Sequence, residues 1–474
     1  MSRSTTIWTF AITSVALFMA TLDNLVVTTA LPVIRTDLGA SIEDLEWTVN
    51  AYTLTFAVFL LTGAALGDRF GRRRLFVIGL GIFTAASVAA ALAPSVEALI
   101  VARAAQGLGG AIVTPLTLTI LSAAVPAEKR GLALGAWGGI GGLAVAMGPL
   151  VGGAVVEGIS WQWIFWLNVP IGLALIPLAM LRLKESYGPS TRLDLPGLAL
   201  VSTGLFGIVW GVVRGNAQGW ASPEILLALG LGSILTAAFV LWELRSPAPM
   251  LPMRFFRNRT FAAANAASLF MFFGMFGSIF LLAQFLQTVQ GYGPLDAGLR
   301  ILPWTVMPIF VAPIAGALSD RIGGRPLMAT GLALQAIALG WLGVVSTPTV
   351  SYLTLVPPFV IAGMGMALFF APVANVVLSA VSPREEGQAS GANNAIRELG
   401  GVFGVAVLAS VFTSRGGYES GQAFVDGLVP AIWVGAVVVA VGALAALFIP
   451  RRRRPAEAEA GHAERTPSAV VEAA

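Results

Sequence analysis

The sequence predicts an all-α integral membrane protein with fourteen transmembrane helices, and three observations predict it. The chain has 474 residues, of which 57% are hydrophobic and only 11% are charged, whereas a soluble domain has about 25% charged residues. Glycine (54 residues) and proline (27 residues) are frequent, as in transmembrane helices. Fourteen apolar runs have about the length that a helix needs to cross the ~30 Å hydrocarbon core of a bilayer.

The predicted spans follow one another along the whole chain. The first is too long for a cleaved signal peptide, and no small-x-small cleavage site follows it. The seventh, eighth and thirteenth are short or have polar flanks. The spans are 9–31, 47–66, 75–92, 98–122, 131–155, 163–180, 197–213, 225–241, 261–286, 298–318, 327–345, 353–378, 395–412 and 428–449.

The distribution of Arg and Lys predicts the orientation. If the spans alternate, most of these residues fall on the side of the N-terminus, and the opposite side receives only Arg35, Arg214 and Arg415. We therefore expect a multi-pass protein of the cell inner (cytoplasmic) membrane with both termini in the cytoplasm. The outer loop after the first span is expected to be acidic, with Asp37, Glu43, Asp44 and Glu46.

The composition excludes several classes of function. There is no Cys, the single histidine is His462 in the polar tail, and the only lysines are Lys129 and Lys184, neither of which follows a Walker A glycine pattern. These facts argue against disulfides, iron–sulfur clusters, His or Cys metal sites, Ser–His catalysis and ATP use. We expect a protein that is not an enzyme, with no metal, no cofactor and no nucleic-acid partner.

A weak internal repeat predicts the domain organisation. The segments 63–72 (GAALGDRFGR) and 316–325 (GALSDRIGGR) follow the second and tenth spans. Duplicated bundles are typical of transporters, with the cargo site near the midplane between the halves. We predict an N-terminal six-helix bundle (1–185), two inserted helices with cytoplasmic linkers (186–257), a C-terminal six-helix bundle (258–450) and a disordered cytoplasmic tail (451–474).

Six motifs, in order, resemble those of the major facilitator superfamily, in particular its 14-helix drug:proton antiporter branch. They are LDNLVVTTALP at 22–32, GDRFGRR at 67–73, LIVARAAQG at 99–107, GPLVGG at 148–153, WQWIFWLNVP at 161–170 and NAIRELGG at 394–401. The chain departs from the family pattern at Leu25, Thr28, Ala64 and Gln162. The resemblance covers nearly the whole chain and implies a major facilitator fold: two six-helix bundles plus two inserted helices.

Asp23 is the strongest candidate for a proton-carrying group. It lies inside an apolar run, where an ionised carboxylate costs several kcal/mol unless it is protonated, paired or hydrated. The alternative is a structural aspartate held by hydrogen bonds between helices. The membrane position and the resemblance together favour proton coupling.

Arg103 is the expected partner of Asp23. Counting about 1.5 Å per residue places Asp23 about 13 Å and Arg103 about 8 Å below the outer surface, which are compatible depths. A nearby arginine favours the charged carboxylate, whereas low polarity favours the protonated acid. Protonation would then respond to helix movement. The alternative is that Arg103 ties helices together through backbone carbonyls and Gln106.

The resemblance implies an inner gate at the loop between the second and third spans. In the family, the aspartate of this loop contacts a helix end and a nearby arginine, and it holds the cytoplasmic side shut. Gly71 permits a tight turn. A weaker, pseudo-symmetric role is expected for the second copy. The gate residues are Asp68, Arg69, Gly71 and Arg72, with Asp320 and Arg321 in the second copy.

The fifth span carries the glycine-rich antiporter motif of the family. Proline bends a helix, and small residues allow close helix approach. The resemblance implies an outer seal that prevents uncoupled leak, and ordinary tight packing is the alternative. The motif residues are Gly148, Pro149, Gly152 and Gly153.

Cargo contacts are the least specific prediction. The candidates are polar or aromatic residues of the spans: Asn50, Tyr52, Asn265, Phe273, Phe276, Gln284, Gln287 and Asn375. Gln284 and Gln287 are spaced to share one helix face. Arg397 and Glu398 are expected to begin the thirteenth helix at the inner side and to form a local or inter-helix pair. Asp23 is the one acid clearly near the midplane, since Asp296 and Asp320 fall at the ends of the tenth span.

The combined expectation is a monomeric, proton-coupled antiporter that exports hydrophobic or amphiphilic drugs or other small molecules through the lipid bilayer. The proton gradient would drive it without a cofactor. Two alternatives stay open: a dedicated exporter of one endogenous metabolite, and a non-transporting membrane sensor on the same fold. The cargo, the proton-to-cargo ratio and the role of the inserted helices are not fixed by the residues.

Overall fold

A computed structural model describes residues 3–125, 127–187, 194–382 and 385–450, and some helical side chains within these ranges are not described. The predicted tail at 451–474 and the side chain of Asp320 lie outside the described part. The first half of the chain contains α1 (Arg3–Leu38), α2 (Ile42–Phe70), α3 (Arg72–Ala91), α4 (Val96–Ala124), α5 (Ala127–Gly158), α6 (Trp163–Trp166) and α7 (Asn168–Arg182).

Two further helices connect this part to the second half. They are α8 (Leu195–Gln218) and α9 (Pro223–Glu243), and a 3₁₀ turn (Met253–Arg257) follows them. The second half contains α10 (Arg259–Gln284) with a π-helical turn at its end (Phe285–Val289), α11 (Pro294–Thr305), α12 (Met307–Ile322), α13 (Gly324–Val345), α14 (Tyr352–Leu378), α15 (Glu386–Arg415) and α16 (Gly421–Leu447).

The predicted all-α membrane protein is confirmed. Within the described residues, twelve helical segments are long and apolar enough to cross a membrane, with α6–α7 and α11–α12 each counted as one segment. A thirteenth, α2, bends by 49° near residue 61. α5, in which several side chains are not described, occupies the position of the fifth predicted span.

The structure corrects the start of α2. Glu43, Asp44 and Glu46 do not lie in an acidic loop but in the first turns of the helix. Ser41 caps this helix, because its hydroxyl accepts from the Asp44 amide at 3.1 Å and the Asp44 carboxylate accepts from the Ser41 amide at 2.8 Å. Such a capping box is readable from sequence, but the apolar run begins only at Trp47.

The structure also corrects the thirteenth and tenth predicted spans. α15 begins at Glu386 rather than near residue 395, so Arg397 and Glu398 lie close to the middle of the helix. Ala389 and Ala392 are fully buried, so protein rather than lipid covers this polar segment. The tenth span is divided at Val306, because Pro308 has no amide hydrogen to donate to the Trp304 carbonyl and its ring crowds that carbonyl.

The helices pack as two groups joined along one seam. In the first group α1 packs on α5, α2 on α4, and α3 on α4 and α7; in the second, α10 packs on α15 and α16, and α13 on α14 and α16. α2 with α15, and α5 with α11, join the groups, and α8 contacts both α2 and α15. We call the ends of the bundle the terminal face, where α1 begins and α16 ends, and the distal face opposite it.

Candidate functional site

Asp23 lies near the centre of α1 and is 1% exposed. Arg103 Nη1 donates to its Oδ2 at 2.5 Å, Gln106 Nε2 to its Oδ1 at 2.8 Å, and Asn168 Nδ2 to the same Oδ1 at 2.6 Å. Ser87 accepts from the Gln106 amide at 2.9 Å. The carboxylate is therefore held by one cation and two amides.

Arg103 is fully buried and has contacts beyond Asp23. Its Nε donates to the Thr48 carbonyl at 3.3 Å and its Nη1 to Gln106 Oε1 at 2.7 Å. The guanidinium lies 4.3 Å from the ring centroid of Tyr52, a geometry that favours cation–π attraction. Arg103 therefore both pairs with Asp23 of α1 and links α4 to α2 through the Thr48 carbonyl.

This arrangement stabilises the ionised form of Asp23. Three donors on one carboxylate, one of them a cation, favour the charge that low polarity would oppose. The donors come from α4 and α7 while the acid is on α1, so this one carboxylate links three helices.

Sequence reasoning assigned no role to Asn168. The residue lies in the quoted motif at 161–170, and the break between α6 and α7 at Leu167 places it at the start of α7. Asn168 is 4% exposed. A buried amide in an apolar run needs a hydrogen-bond partner, which is the signal that could have identified it.

The predicted gate loop forms a tight turn at the terminal face. Gly71 has φ +106°, which favours glycine. Asp68 pairs with Arg72 one turn later at 2.8 Å. The carboxylate of Glu185, which follows α7, accepts from the amides of Arg73 at 2.9 Å and Arg74 at 3.2 Å. The free amides in the first turn of α3 thus donate to a carboxylate, Glu185, that the sequence did not single out.

The second copy of this element has the same kind of tight turn. Gly323 lies between α12 and α13 with φ +83°, which matches Gly71 between α2 and α3. Arg321 is exposed. In the first copy, the Arg69 guanidinium lies 5.2 Å from the ring centroid of Phe70.

The glycines of α5 allow two helices to approach it closely. A Cβ on Gly148 would lie 2.6 Å from Leu25 Cβ, and one on Gly152 would lie 2.9 Å from the Val26 carbonyl oxygen, so both face α1. A Cβ on Gly153 would overlap the Pro294 carbonyl of α11. A Cβ on Gly298 of α11 would likewise overlap the Pro149 carbonyl. This motif therefore packs against both α1 and the second half.

Further contacts between the halves lie at the distal face. Gln287 Nε2 donates to the Thr29 carbonyl at 2.9 Å, and the Leu295 amide donates to Glu157 Oε2 at 2.9 Å. α5 packs extensively on α11, but hardly touches α12, which continues towards the terminal face. The distal side of the seam is closed in this structure.

The structure places several predicted cargo contacts inside other networks. Asn265 accepts from Asn393 at 2.9 Å within the second half, and Gln284 accepts from the hydroxyl of Tyr418. Gln284 and Gln287 do not share a face, because the π-helical turn changes the register between them. Asn375 lies towards the terminal end of α14 and lines a cavity of about 910 Å³ in the second half.

The remaining predicted cargo contacts lie on α2 and α10. Asn50 is fully buried, and neither atom of its amide has a hydrogen-bond partner among the described residues. Phe276 packs close to Gly401 of α15, and Phe273 close to Gly404. Tyr52 donates to the Ala20 carbonyl at 3.3 Å.

Arg397 and Glu398 do not form the expected ion pair within the part of the chain that the structure describes. Arg397 stacks 4.4 Å from the Phe272 ring centroid and donates to Asn394 at 3.2 Å. Glu398 Oε2 has no hydrogen-bond partner there, and Glu398 lies near the middle of α15. A second acid therefore lies near the midplane, contrary to the expectation from sequence.

The comparisons with known proteins agree with this architecture. The family model of the Major Facilitator Superfamily matches residues 13–405 and 266–473. The chain belongs to the Major Facilitator Superfamily. This membership confirms the resemblance read from the motifs, and it confirms the prediction of a membrane transporter rather than an enzyme. Among the described residues, no group of His, Cys, Asp and Glu is arranged to hold a metal ion.

Relatives within the superfamily are similar over most of the chain. The Multidrug resistance protein Stp of Mycobacterium tuberculosis (strain CDC 1551 / Oshkosh) is 36% identical over 412 residues, which are 86% of this chain and 76% of that protein. The Tetracenomycin C resistance and export protein of Streptomyces glaucescens is 34% identical over 407 residues, 85% of this chain and 75% of that protein.

A solved structure shows the same fold. It is a bacterial homolog of the human lysosomal transporter Spinster, in an inward-facing and unoccupied conformation, with a TM-score of 0.66. The match covers 95% of this chain and 98% of that one at 17% sequence identity, so the likeness concerns the fold alone.

Proposed function

We propose that this protein is a proton-coupled antiporter that exports hydrophobic or amphiphilic drugs and other small molecules. The observation that carries the proposal is the buried Asp23–Arg103 pair at 2.5 Å on facing helices. Two relatives named for multidrug resistance and for tetracenomycin C resistance and export support the direction and the type of cargo.

The proposed location is the inner (cytoplasmic) membrane, with both termini in the cytoplasm. The terminal face carries most of the loop arginines, including Arg69, Arg72 and Arg74, as the positive-inside rule requires. With this orientation the distal face is the outer side, and the structure corresponds to a state closed to the outside. The proposed domains are 1–185, 186–257, 258–450 and 451–474.

The proposed cycle alternates Asp23 between two protonation states. With the cytoplasmic side accessible, Asp23 is ionised and bound by Arg103, Gln106 and Asn168 while cargo enters the seam. The halves then rock, and the cargo leaves at the outer side. Movement of α4 and α7 away from α1 weakens the donors, and Asp23 takes a proton from outside. The halves return and the re-formed donors release the proton to the cytoplasm.

The proposed cargo site lies along the seam near Asn50 and Glu398. Both carry buried polar atoms without a partner among the described residues, and such atoms need water or a ligand. The Phe272 and Phe276 rings stack at a centroid distance of 5.7 Å on α10, and aromatic faces of this kind suit amphiphilic molecules. Because Glu398 adds an acid to this region, cationic amphiphiles fit it.

Two gates complete the proposal. The Asp68–Arg72 turn acts at the cytoplasmic side, and the contact of Gly153 with α11 acts at the outer side. One chain contains both halves and the whole seam, so the proposed transporting unit is a monomer.

The test is uptake of a fluorescent cationic dye into inverted membrane vesicles. Uptake by the wild type should collapse with an uncoupler and should be absent in Asp23→Asn. Asp426→Asn is the matched control, since Asp426 is exposed on α16, and it should leave uptake unchanged. Equal uptake by Asp23→Asn and the wild type would remove Asp23 from the mechanism. Dye uptake that is unchanged by the uncoupler would argue against proton coupling.

A further inference from the structure

A second buried acid lies at the distal end of the seam, outside the Asp23 network. Glu46 is 2% exposed. Its Oε2 has no hydrogen-bond partner, and the carboxyl forms no ion pair among the residues that the structure describes. A carboxylate that is buried without a partner is costly unless it carries a proton. The closed seam therefore favours the neutral acid.

The position of Glu46 on α2 directs it towards the second half. Glu46, Asn50 and Leu54 form one row at four-residue spacing, and such residues are neighbours on a helix surface. Leu54 packs in a cluster with Val402 and Ala406 of α15, to which residues of α8 also belong.

The opposite face of α2 belongs to the first half. There Thr55 Oγ1 donates to the Ala104 carbonyl of α4 at 2.9 Å, and Tyr52 meets Arg103. With α4 on that side, the row that contains Glu46 and Asn50 lies against the seam.

Contacts across the seam meet at Tyr418, in the loop between α15 and α16. Arg35, at the distal end of α1, stacks 3.8 Å from the ring centroid of Tyr418. Burial raises the pKa of the Tyr418 phenol well above its usual value; the charge of Arg35 opposes this rise and the charge of Glu46 adds to it. Arg35 and Glu46 belong to the first half and Tyr418 to the second, so both charges act on Tyr418 from across the seam.

The other charged groups around Glu46 are already engaged. Glu43, one turn earlier on α2, pairs with Arg214 of α8 at 3.0 Å, and Glu224 of α9 lies 3.9 Å from the same arginine. α15 ends here with the exposed Arg415. Arg35 from α1 faces the Tyr418 ring rather than the Glu46 carboxyl. Glu46 is left as the unpaired acid of this region.

We propose that Glu46 is a second proton-binding site, specific to the outer gate, which must be protonated before the outer side of the seam can close. As the halves close, the carboxylate takes up one proton from the outer aqueous phase and becomes a neutral acid. As they part, water reaches it and the proton returns to the same phase. This proton is not transported; it makes closure depend on external pH. The inference rests on the proposed orientation and on proton-coupled cycling.

The sign of the pH dependence follows from this linkage. Low pH supplies the proton that the closed gate holds, so acid favours closure and alkali favours opening. A single linked proton changes the closed-to-open ratio by at most about tenfold per pH unit. An acidic exterior would therefore promote the closing step that follows cargo release.

The test measures the gate itself rather than transport. The chain has no Cys, so spin labels can be placed at Thr36→Cys on α1 and Ser414→Cys on α15, both exposed at the distal face. Distance distributions in lipid nanodiscs between about pH 5 and pH 8 report closure. The wild type should become more closed as the pH falls. Glu46→Gln should stay closed at every pH, whereas Glu46→Asp should keep the pH response.

Two further variants separate this proposal from the antiport proposal. Asp426→Asn, which changes an exposed acid of α16, is the control and should follow the wild type. Asp23→Asn should retain the pH response of the gate even where it abolishes dye uptake. Retention of the wild-type response in Glu46→Gln, or a wild-type gate that ignores pH, would overturn the role of Glu46. If Glu46→Gln fails to fold, Glu46→Ala provides the second neutral variant with the same expectation.

Discussion

At the scale of single residues, the buried carboxylate of Asp23 depends on side chains from two other helices. Arg103 and Gln106 lie one turn apart on α4, and Asn168 begins α7. Each donor lowers the free energy of the ionised acid and so opposes proton uptake. In the proposed cycle, the loss of donors is therefore the step that lets Asp23 take up a proton.

Removing one of these donors should shift the pH dependence of transport. Asn168→Ala deletes the donor 2.6 Å from Asp23 Oδ1 and leaves the Asp23–Arg103 pair intact. A hydrogen bond to a charged group contributes about 1.5–3 kcal/mol, equivalent to about 1–2 pH units at 1.36 kcal/mol per unit. We expect the pH profile of dye uptake to move upward by about one unit.

The control for this prediction is Asn393→Ala. Asn393 is also buried, but it donates to Asn265 and Ser268 within the second half. Its removal should lower stability without moving the pH profile. An unchanged profile in Asn168→Ala would show that this amide does not influence the protonation of Asp23.

At the scale of helices, the distal closure depends on the contact between α5 and α11. At Gly153 and at Gly298, a backbone carbonyl of the partner helix occupies the space that a Cβ would need. The two carbonyls, of Pro294 and Pro149, are backbone groups, so neither can make room for a Cβ unless its whole helix shifts. Small residues at this crossing therefore permit a contact that any larger side chain would prevent.

Gly153→Ala should open this contact. Because the added methyl group overlaps the Pro294 carbonyl, the variant should favour separation of the halves at the distal face. We expect a faster proton leak in vesicles without cargo. Gly158→Ala is the control on the same helix, since a Cβ there meets nothing within 4 Å, and its leak should equal that of the wild type. Equal leak in both variants would remove the α5–α11 contact from the seal.

At the scale of the whole molecule, the inserted helices cover the seam between α2 and α15. α8 reaches α2 through Trp47, whose ring centroid lies 5.7 Å from that of Trp210. It reaches α15 through Asn216, which donates to Thr413 at 2.8 Å. α9 packs mainly on α8. This placement favours a role of the inserted helices as a cover over this part of the seam.

The orientation of the whole molecule can be tested with single cysteines in this Cys-free chain. Thr36→Cys and Gln218→Cys lie at the distal face and Tyr187→Cys at the terminal face, all at exposed positions. A membrane-impermeant maleimide should label the first two in intact cells and the third only after permeabilisation. The reverse pattern would invert the proposed topology and, with it, the direction of transport.

The sequence was most informative where a residue conflicts with its surroundings. Asp23 and Arg103 stand out because charges in apolar runs are costly, and Gly71 stands out because a tight turn follows a long helix. Asn168 and Glu398 were missed for opposite reasons. Asn168 is a neutral residue whose role requires a partner on another helix, and Glu398 was placed at a helix end because hydropathy cannot detect a polar helix segment that protein covers.

The sequence by itself determined the membrane-spanning fold and the superfamily and singled out Asp23 and Arg103, because low charge, helix-length apolar runs and intramembrane charges carry free-energy costs that are visible along the chain. Only the tertiary structure decided which groups meet. It placed Asn168 on Asp23, separated Gln284 from Gln287 by a π-helical turn, and buried Glu46 at the seam between the halves. These outcomes depend on contacts between helices distant in sequence, whose energies no single run of residues contains.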